Sequence, residues 1–172
     1  MEEFRDISLL RTNELQVTRD GLFWPSYEVT DGQFCYGKID HPWRFRKNTL
    51  FRTAKGNWTM QRQGLFSRTW ILYNPANETA GTARSEIWKR KVSLVLNNGF
   101  EATLLKKRIF SWSYTWTSMQ QGDIMNIETN LWRINTPLTV VLTTASAIAI
   151  AELPLLILLG IHFVLLRKGG KK

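Results

Sequence analysis

The chain has 172 residues, enough for one domain, or one domain with an appendage, and for a sizeable core. Its 44% hydrophobic content and eight tryptophans exclude a disordered chain, and its one cysteine, Cys35, excludes an internal disulfide framework and a cysteine-based zinc site. A net charge of +9 points to anionic partners such as lipid headgroups, nucleic acid or acidic proteins, although charge also serves solubility alone.

The opening "MEEFRDISLL" is acidic and has no apolar stretch of the signal-peptide kind. With a lone thiol, this gives the expectation of a cytoplasmic protein, membrane-associated where its basic surface meets lipid. Residues 1–25 read as an N-terminal segment ahead of a domain over 26–172, with 1–20 suited to a short helix or an edge segment. From there, short runs of β-formers alternate with turn signals. "TLFRTA" precedes "KGN", "NWTMQR" precedes "QG", and "LFSRTWILY" precedes "NPANET". "TARSEIW" runs into a basic stretch, "VSLVL" meets "NNG", "FEATLL" meets "KKR", and "IFSWSYTW" runs toward "QQGD". Strands of this length and spacing make an antiparallel all-β meander. "LTVVLTT" and "SAIAIA" also read as strand.

One hairpin can be put in register. Asn98-Gly99 suits a two-residue type I′ turn, because both positions take positive φ. Counting outward, Lys91 faces Lys106, Arg90 faces Lys107 and Lys89 faces Arg108. Like charges directly opposite are destabilising, so these six cations need carboxylates from elsewhere, solvent or an anionic ligand. They are the candidate anion-binding residues: Lys89, Arg90, Lys91, Lys106, Lys107 and Arg108. Alternation splits them, with Arg90 and Lys107 on one face and the other four on the opposite one.

Other chemistry is thin. His41 and His162 are far apart, and His162 sits in an apolar run, where a hydrogen-bonded core role is the plainer reading than a ligand role. No phosphate loop, nucleophile elbow or HExxH motif occurs, so no catalytic residue, metal ligand or cofactor is assigned. "FSWSYTW" puts Phe110, Trp112, Tyr114 and Trp116 on one side of a strand, as a wall of the core or as a stacking platform. "PWRFRK" at 42–47 interleaves cations with aromatics, as an exposed segment or as an anion contact.

The stretch "ELPLLILLGIHFVLLRKGG" ends the domain. Leu153–Leu166 carries no formal charge and spans about 21 Å at ~1.5 Å per residue. Pro154 suits a helix start, and Arg167-Lys168 before Gly169-Gly170 suits a helix end. A helix over 153–168 that is apolar on every face needs either lipid or complete enclosure by protein. The run is short for a span of about 20 residues, which favours enclosure. Joined to the apolar residues from about Thr144 it becomes long enough to cross, with Glu152 then inside hydrocarbon. A C-terminal transmembrane anchor therefore stays open as the alternative.

This element order resembles the tubby C-terminal domain-like superfamily, which includes tubby-type domains, phospholipid scramblases and plant LURP-one-related proteins. The resemblance covers about residues 25–168 and rests on strand-rich patterns such as "GNWTMQRQGLFSRTWILYN" and "LVLNNGFEATLL" before one wholly apolar helix. It implies a closed antiparallel β-barrel of about twelve strands around a central hydrophobic C-terminal helix. It also implies phosphoinositide binding through basic side chains, without fixing which ones. Residues 129–151 hold no Asp or Glu, so the acidic calcium segment that scramblases place before their helix has no counterpart here.

Three readings of function remain. One is a non-catalytic β-barrel module that binds anionic lipid headgroups, or another anionic partner, through a basic surface. The second is a membrane protein with a C-terminal anchor. The third is a single-strand nucleic-acid binder, disfavoured because the aromatics are better used as core.

Overall fold

Alternation of side chains sets most of the strands. In the computed structural model, which describes residues 3–23, 25–40, 48–86, 90–107 and 112–169, twelve of them form one closed antiparallel barrel. They are β1 (Glu14–Asp20), β2 (Ser26–Thr30), β3 (Cys35–Asp40), β4 (Asn48–Thr53), β5 (Gly56–Arg62) and β6 (Thr69–Tyr73). The second half comprises β7 (Thr79–Glu86), β8 (Lys91–Leu96), β9 (Glu101–Leu105), β10 (Ser113–Ser118), β11 (Gly122–Thr129) and β12 (Leu138–Leu142). Each strand pairs with its neighbours in sequence, and β1 closes the sheet on β12. Val92, Leu94 and Leu96 of β8 point inward and are buried, while Val95 between them is exposed.

The helix α1 (Leu153–Gly169) threads the barrel. Leu156, Leu159, Ile161 and Val164 are fully buried, and His162 is buried too, its ring meeting Phe51 and Phe163 edge-on. Burial on every face requires enclosure, and the barrel supplies it. At Gly160 the wall leaves no room for a side chain: a Cβ there would overlap Ile127 Cδ1 and lie 2.5 Å from Trp116 Nε1. Among the described residues, no helix is long and apolar enough to cross a membrane, so the expected anchor alternative is not supported.

Three local expectations need correction. The barrel begins at Glu14, not at residue 26, because Leu15 and Val17 alternate with exposed Glu14 and Gln16 and fill the seam between β2 and β12. "SAIAIA" is no strand. Ala145–Ala149 form a 3₁₀ turn, because β1 and β11 already occupy both edges of β12 and the chain must cross the mouth to reach the axis. The Asn98-Gly99 hairpin slips by one residue. Lys91 pairs with Leu105, and Leu96 and Phe100 close a three-residue loop over Asn97, Asn98 and Gly99. Only Gly99 (φ +88°) takes positive φ there, so a type I′ turn does not form. The Asn98 side chain accepts from Phe100 N at 3.0 Å within the loop and donates to Glu152 Oε1 at 2.8 Å outside it.

Strand parity gives the barrel two different ends. Because every pairing is antiparallel and sequential, connections alternate between them. The helix enters beside Asn98, and its C-terminus leaves beside Arg90, whose carbonyl accepts from Arg167 Nη1 at 2.9 Å. The connections after β1, β3, β5, β7, β9 and β11 therefore all lie at the exit end.

Candidate functional site

The lumen is filled by α1, so the candidate site is sought on the outer surface. The four of the six expected cations that are described, Arg90, Lys91, Lys106 and Lys107, do not form the paired cluster that the type I′ register implies. Lys91 faces Glu86 of β7 across the ladder, with 3.8 Å between Nζ and Oε1. Lys107 pairs with Asp123. That residue stands opposite Thr117, well down β11, so Lys107 leans along the outer wall instead of over the rim. Lys106 places its ammonium 5.4 Å from the centre of the Trp112 ring. Arg90 is exposed at φ +50°, an uncommon backbone state for a side-chain-bearing residue, at the point where the helix end meets the rim. Lys89 and Arg108 lie outside the described residues, as do His41, Phe110 and the segment 42–47.

The slip has a chemical consequence. Cations expected to repel one another across the hairpin are distributed instead, two of them onto carboxylates. Exposed ion pairs of this kind contribute roughly 0–1 kcal/mol each, so they neutralise more than they stabilise. Lys91 and Lys107 thereby have carboxylate partners, while Arg90 stands exposed.

At the exit end, Arg90 is joined by cations from outside the hairpin. Arg68, Arg90 and Arg133 stand exposed in its connections, and Arg167 and Lys168 end the helix. Arg167 also lies over the Tyr114 ring, 5.5 Å from its centre. Partial desolvation holds the Lys168 ammonium below its ordinary value. Among the described residues, the acids near this end stand within strands. Asp20 closes β1, Glu128 lies in β11, and Asp40 and Glu86 have Arg52 and Lys91 as partners.

The same end exposes large apolar side chains. Phe66 is 95% exposed, Trp132 94% and Phe23 80%, with Leu22, Leu65 and Ile134 beside them in sequence. The loops that bear these residues are pinned at their bases. Arg62 Nε donates to Ser67 O at 2.6 Å, and Arg19 Nη2 donates to Leu22 O at 3.3 Å. Asn130 Nδ2 donates to Thr136 O at 2.9 Å, and the Arg19 backbone N–H donates to Asn135 O at 2.8 Å. The "FSWSYTW" strand divides: Trp116 is fully buried in the wall, Tyr114 is half-buried, and Trp112 stands half-exposed before β10.

The sequence held a signal for this end. "GLFWP", "QGLFSR" and "NLWRIN" each place bulky apolar residues where a connection is expected to be polar. Counting strands then puts all three connections on one side. No family model, curated protein or solved structure matches the chain. Fold and surface together define a class: a closed β-barrel wrapped around its own C-terminal helix, with one basic, apolar-tipped end.

Proposed function

We propose that this protein is a non-catalytic module that docks on anionic lipid headgroups through the basic surface at its exit end, and that it is kin to the tubby-like superfamily. One observation carries the reading. The hydrogen bond from Arg167 to the Arg90 carbonyl gathers the helix-end cations and a loop cation at a single rim. Arg68 adjoins them, because its carbonyl accepts from Ser85 N on the neighbouring strand. Each cation held near an anionic membrane surface contributes about 1 kcal/mol, so such a rim gives useful, salt-sensitive binding. The closed barrel with its enclosed helix is the architecture that the superfamily resemblance implies, and basic side chains are the chemistry it implies.

Co-sedimentation of the full chain with phosphatidylcholine vesicles, with and without phosphatidylglycerol, tests the reading at low salt, with a single-stranded oligonucleotide as competitor. The expected result is a marked preference for the anionic vesicles that the oligonucleotide does not displace. Arg68→Gln, Arg90→Gln, Arg133→Gln and Lys168→Gln together should weaken that binding by up to roughly three orders of magnitude with the melting temperature unchanged. Equal binding to neutral and anionic vesicles at low salt would sink the proposal. Displacement by the oligonucleotide would favour nucleic acid.

A further inference from the structure

We infer that the exit end does not merely rest on headgroups but inserts three apolar tips, Phe23, Phe66 and Trp132, into the membrane interface, fixing the barrel end-on with its helix axis toward the bilayer. The inference rests on the proposed lipid docking and names how the same surface engages. Its ground is the distribution of side chains. Phe23, Phe66 and Trp132 sit in three different connections, after β1, β5 and β11, and strand parity places them all at one end.

Scattered single apolar residues on a surface need no explanation, but several bulky ones on one rim do. The occupant follows from charge complementarity. Arg68 and Arg133 stand two residues or fewer from Phe66 and Trp132, so each of these two tips carries its own cation. Aromatic side chains flanked by arginine and lysine match the layered chemistry of a bilayer surface, apolar below and anionic above. The tips are also preorganised. Arg62 and Arg19 hold the loops bearing Phe66 and Phe23, and Asn130 holds the loop bearing Trp132. Little ordering entropy is then left to lose on docking.

The test separates insertion from headgroup attraction. In a Cys35→Ser background, Phe66→Cys carries an environment-sensitive fluorophore at the exit end, and Ala76→Cys carries it in the connection after β6 at the opposite end. Vesicles are equimolar phosphatidylcholine and phosphatidylglycerol with doxyl-labelled acyl chains. The label at position 66 should shift to the blue and be quenched by the doxyl groups, while the label at position 76 stays aqueous. High salt, about 0.5 M, screens the charges. The wild type should then keep measurable partitioning, and Phe23→Ser, Phe66→Ser and Trp132→Ser together should lose at least about tenfold of it. A label at position 66 that stays aqueous on vesicles bound at low salt overturns insertion and leaves headgroup docking standing. No vesicle binding under any condition overturns both. Self-association of the wild type in sedimentation, abolished by the triple variant, would assign the tips to a second copy of the chain and overturn the inference.

Discussion

At the entry end, turns are built by their own polar side chains. Asp31 accepts from Gln33 N at 2.9 Å, Phe34 N at 2.8 Å and Tyr36 Oη at 2.7 Å. Asn74 accepts from Ala76 N at 3.0 Å and Glu78 N at 2.9 Å, and Asn97 reaches across to Thr79 O at 2.7 Å. At the exit end, the loop backbones are gripped instead by residues of the strands and of the loop bases, Arg19, Arg62 and Asn130. The difference lies in where the polar work is done. Asx-type turns spend the loop's own polar side chains on the backbone, and Phe34 and Met119 are the large apolar side chains that still project from the entry-end turns. Loops held from their bases leave their tips unoccupied by structural duty, and here those tips are Phe23, Phe66 and Trp132.

Both ends depend on the shared core, so the largest effect comes from removing it. Deleting residues 152–172 takes out α1, whose fully buried Leu and Ile side chains contribute about 1.5–3 kcal/mol each. That sum exceeds the roughly 5–15 kcal/mol by which a domain is stable. The truncated chain should show no cooperative melting by circular dichroism and no dispersed amide spectrum. A truncation that melts like the full chain would mean that the barrel does not need its filling, and the two ends would then not share a frame.

A smaller, local break is Gly160→Ala. Helix propensity favours Ala by about 1 kcal/mol, but the new methyl would press on Ile127 Cδ1 and the Trp116 ring. Overpacking of this kind costs about 1–3 kcal/mol, so the clash should win or cancel the gain, and chemical denaturation should show a net loss of up to about 2 kcal/mol. A variant more stable than the wild type would show that the lumen is looser than the contacts imply.

The contrast between the ends is sharpened by a matched pair of surface changes. Phe66→Ser at the exit end and Met119→Ser at the entry end each remove a fully or nearly fully exposed apolar side chain. Neither should move the melting temperature by more than a degree or two, because surface changes cost within about 0.5 kcal/mol. Only Phe66→Ser should lower vesicle partitioning, by several-fold. Equal effects at both ends would erase the functional distinction.

The smallest expected effect is a pH response confined to the entry end. Burial pushes the Asp31 carboxyl up, but hydrogen bonds from Tyr36, Phe34 and Gln33 outweigh it and hold the group below its ordinary 3.8. Asp6 is held low by its bonds from Ser8. Burial raises the Tyr36 hydroxyl to about 12, with the bond to Asp31 adding to it. A depressed carboxyl stabilises fully above its unfolded value and loses that contribution as pH falls through the folded one. Melting temperature should therefore fall slightly below about pH 4, and Asp6→Asn with Asp31→Asn should flatten part of that slope. An unchanged slope in the double variant would assign acid sensitivity to other groups.

The strand pattern was legible because alternation is local. β6, β9 and β12 sit within the runs that the sequence marks as strand, and β4, β5 and β8 start one residue before theirs. β1 was missed although Leu15 and Val17 alternate with Glu14 and Gln16, because the charged opening residues around that stretch read as a separate segment. The candidate site was legible only in part. Arg90 does stand at the rim, although the hairpin register that points to it is one residue off. Arg167 and Lys168 were seen as helix-end residues and not as rim residues, because nothing local says which end of the barrel the helix leaves.

The sequence by itself determined the all-β meander, the apolar helix over Leu153–Leu166 and its need for enclosure, since each follows from the period or length of a local run. Only the tertiary structure decided the turn at Asn98 and the grouping of the rim. Asn98-Gly99 favours type I′ as a dipeptide, yet Glu152, 54 residues away in sequence, engages the Asn98 side chain and the hairpin takes a three-residue loop. The rim is likewise a product of closure. Phe23, Phe66, Trp132 and Arg167 are distant in sequence, and they share one end because antiparallel strands alternate direction and β1 meets β12 to close the ring.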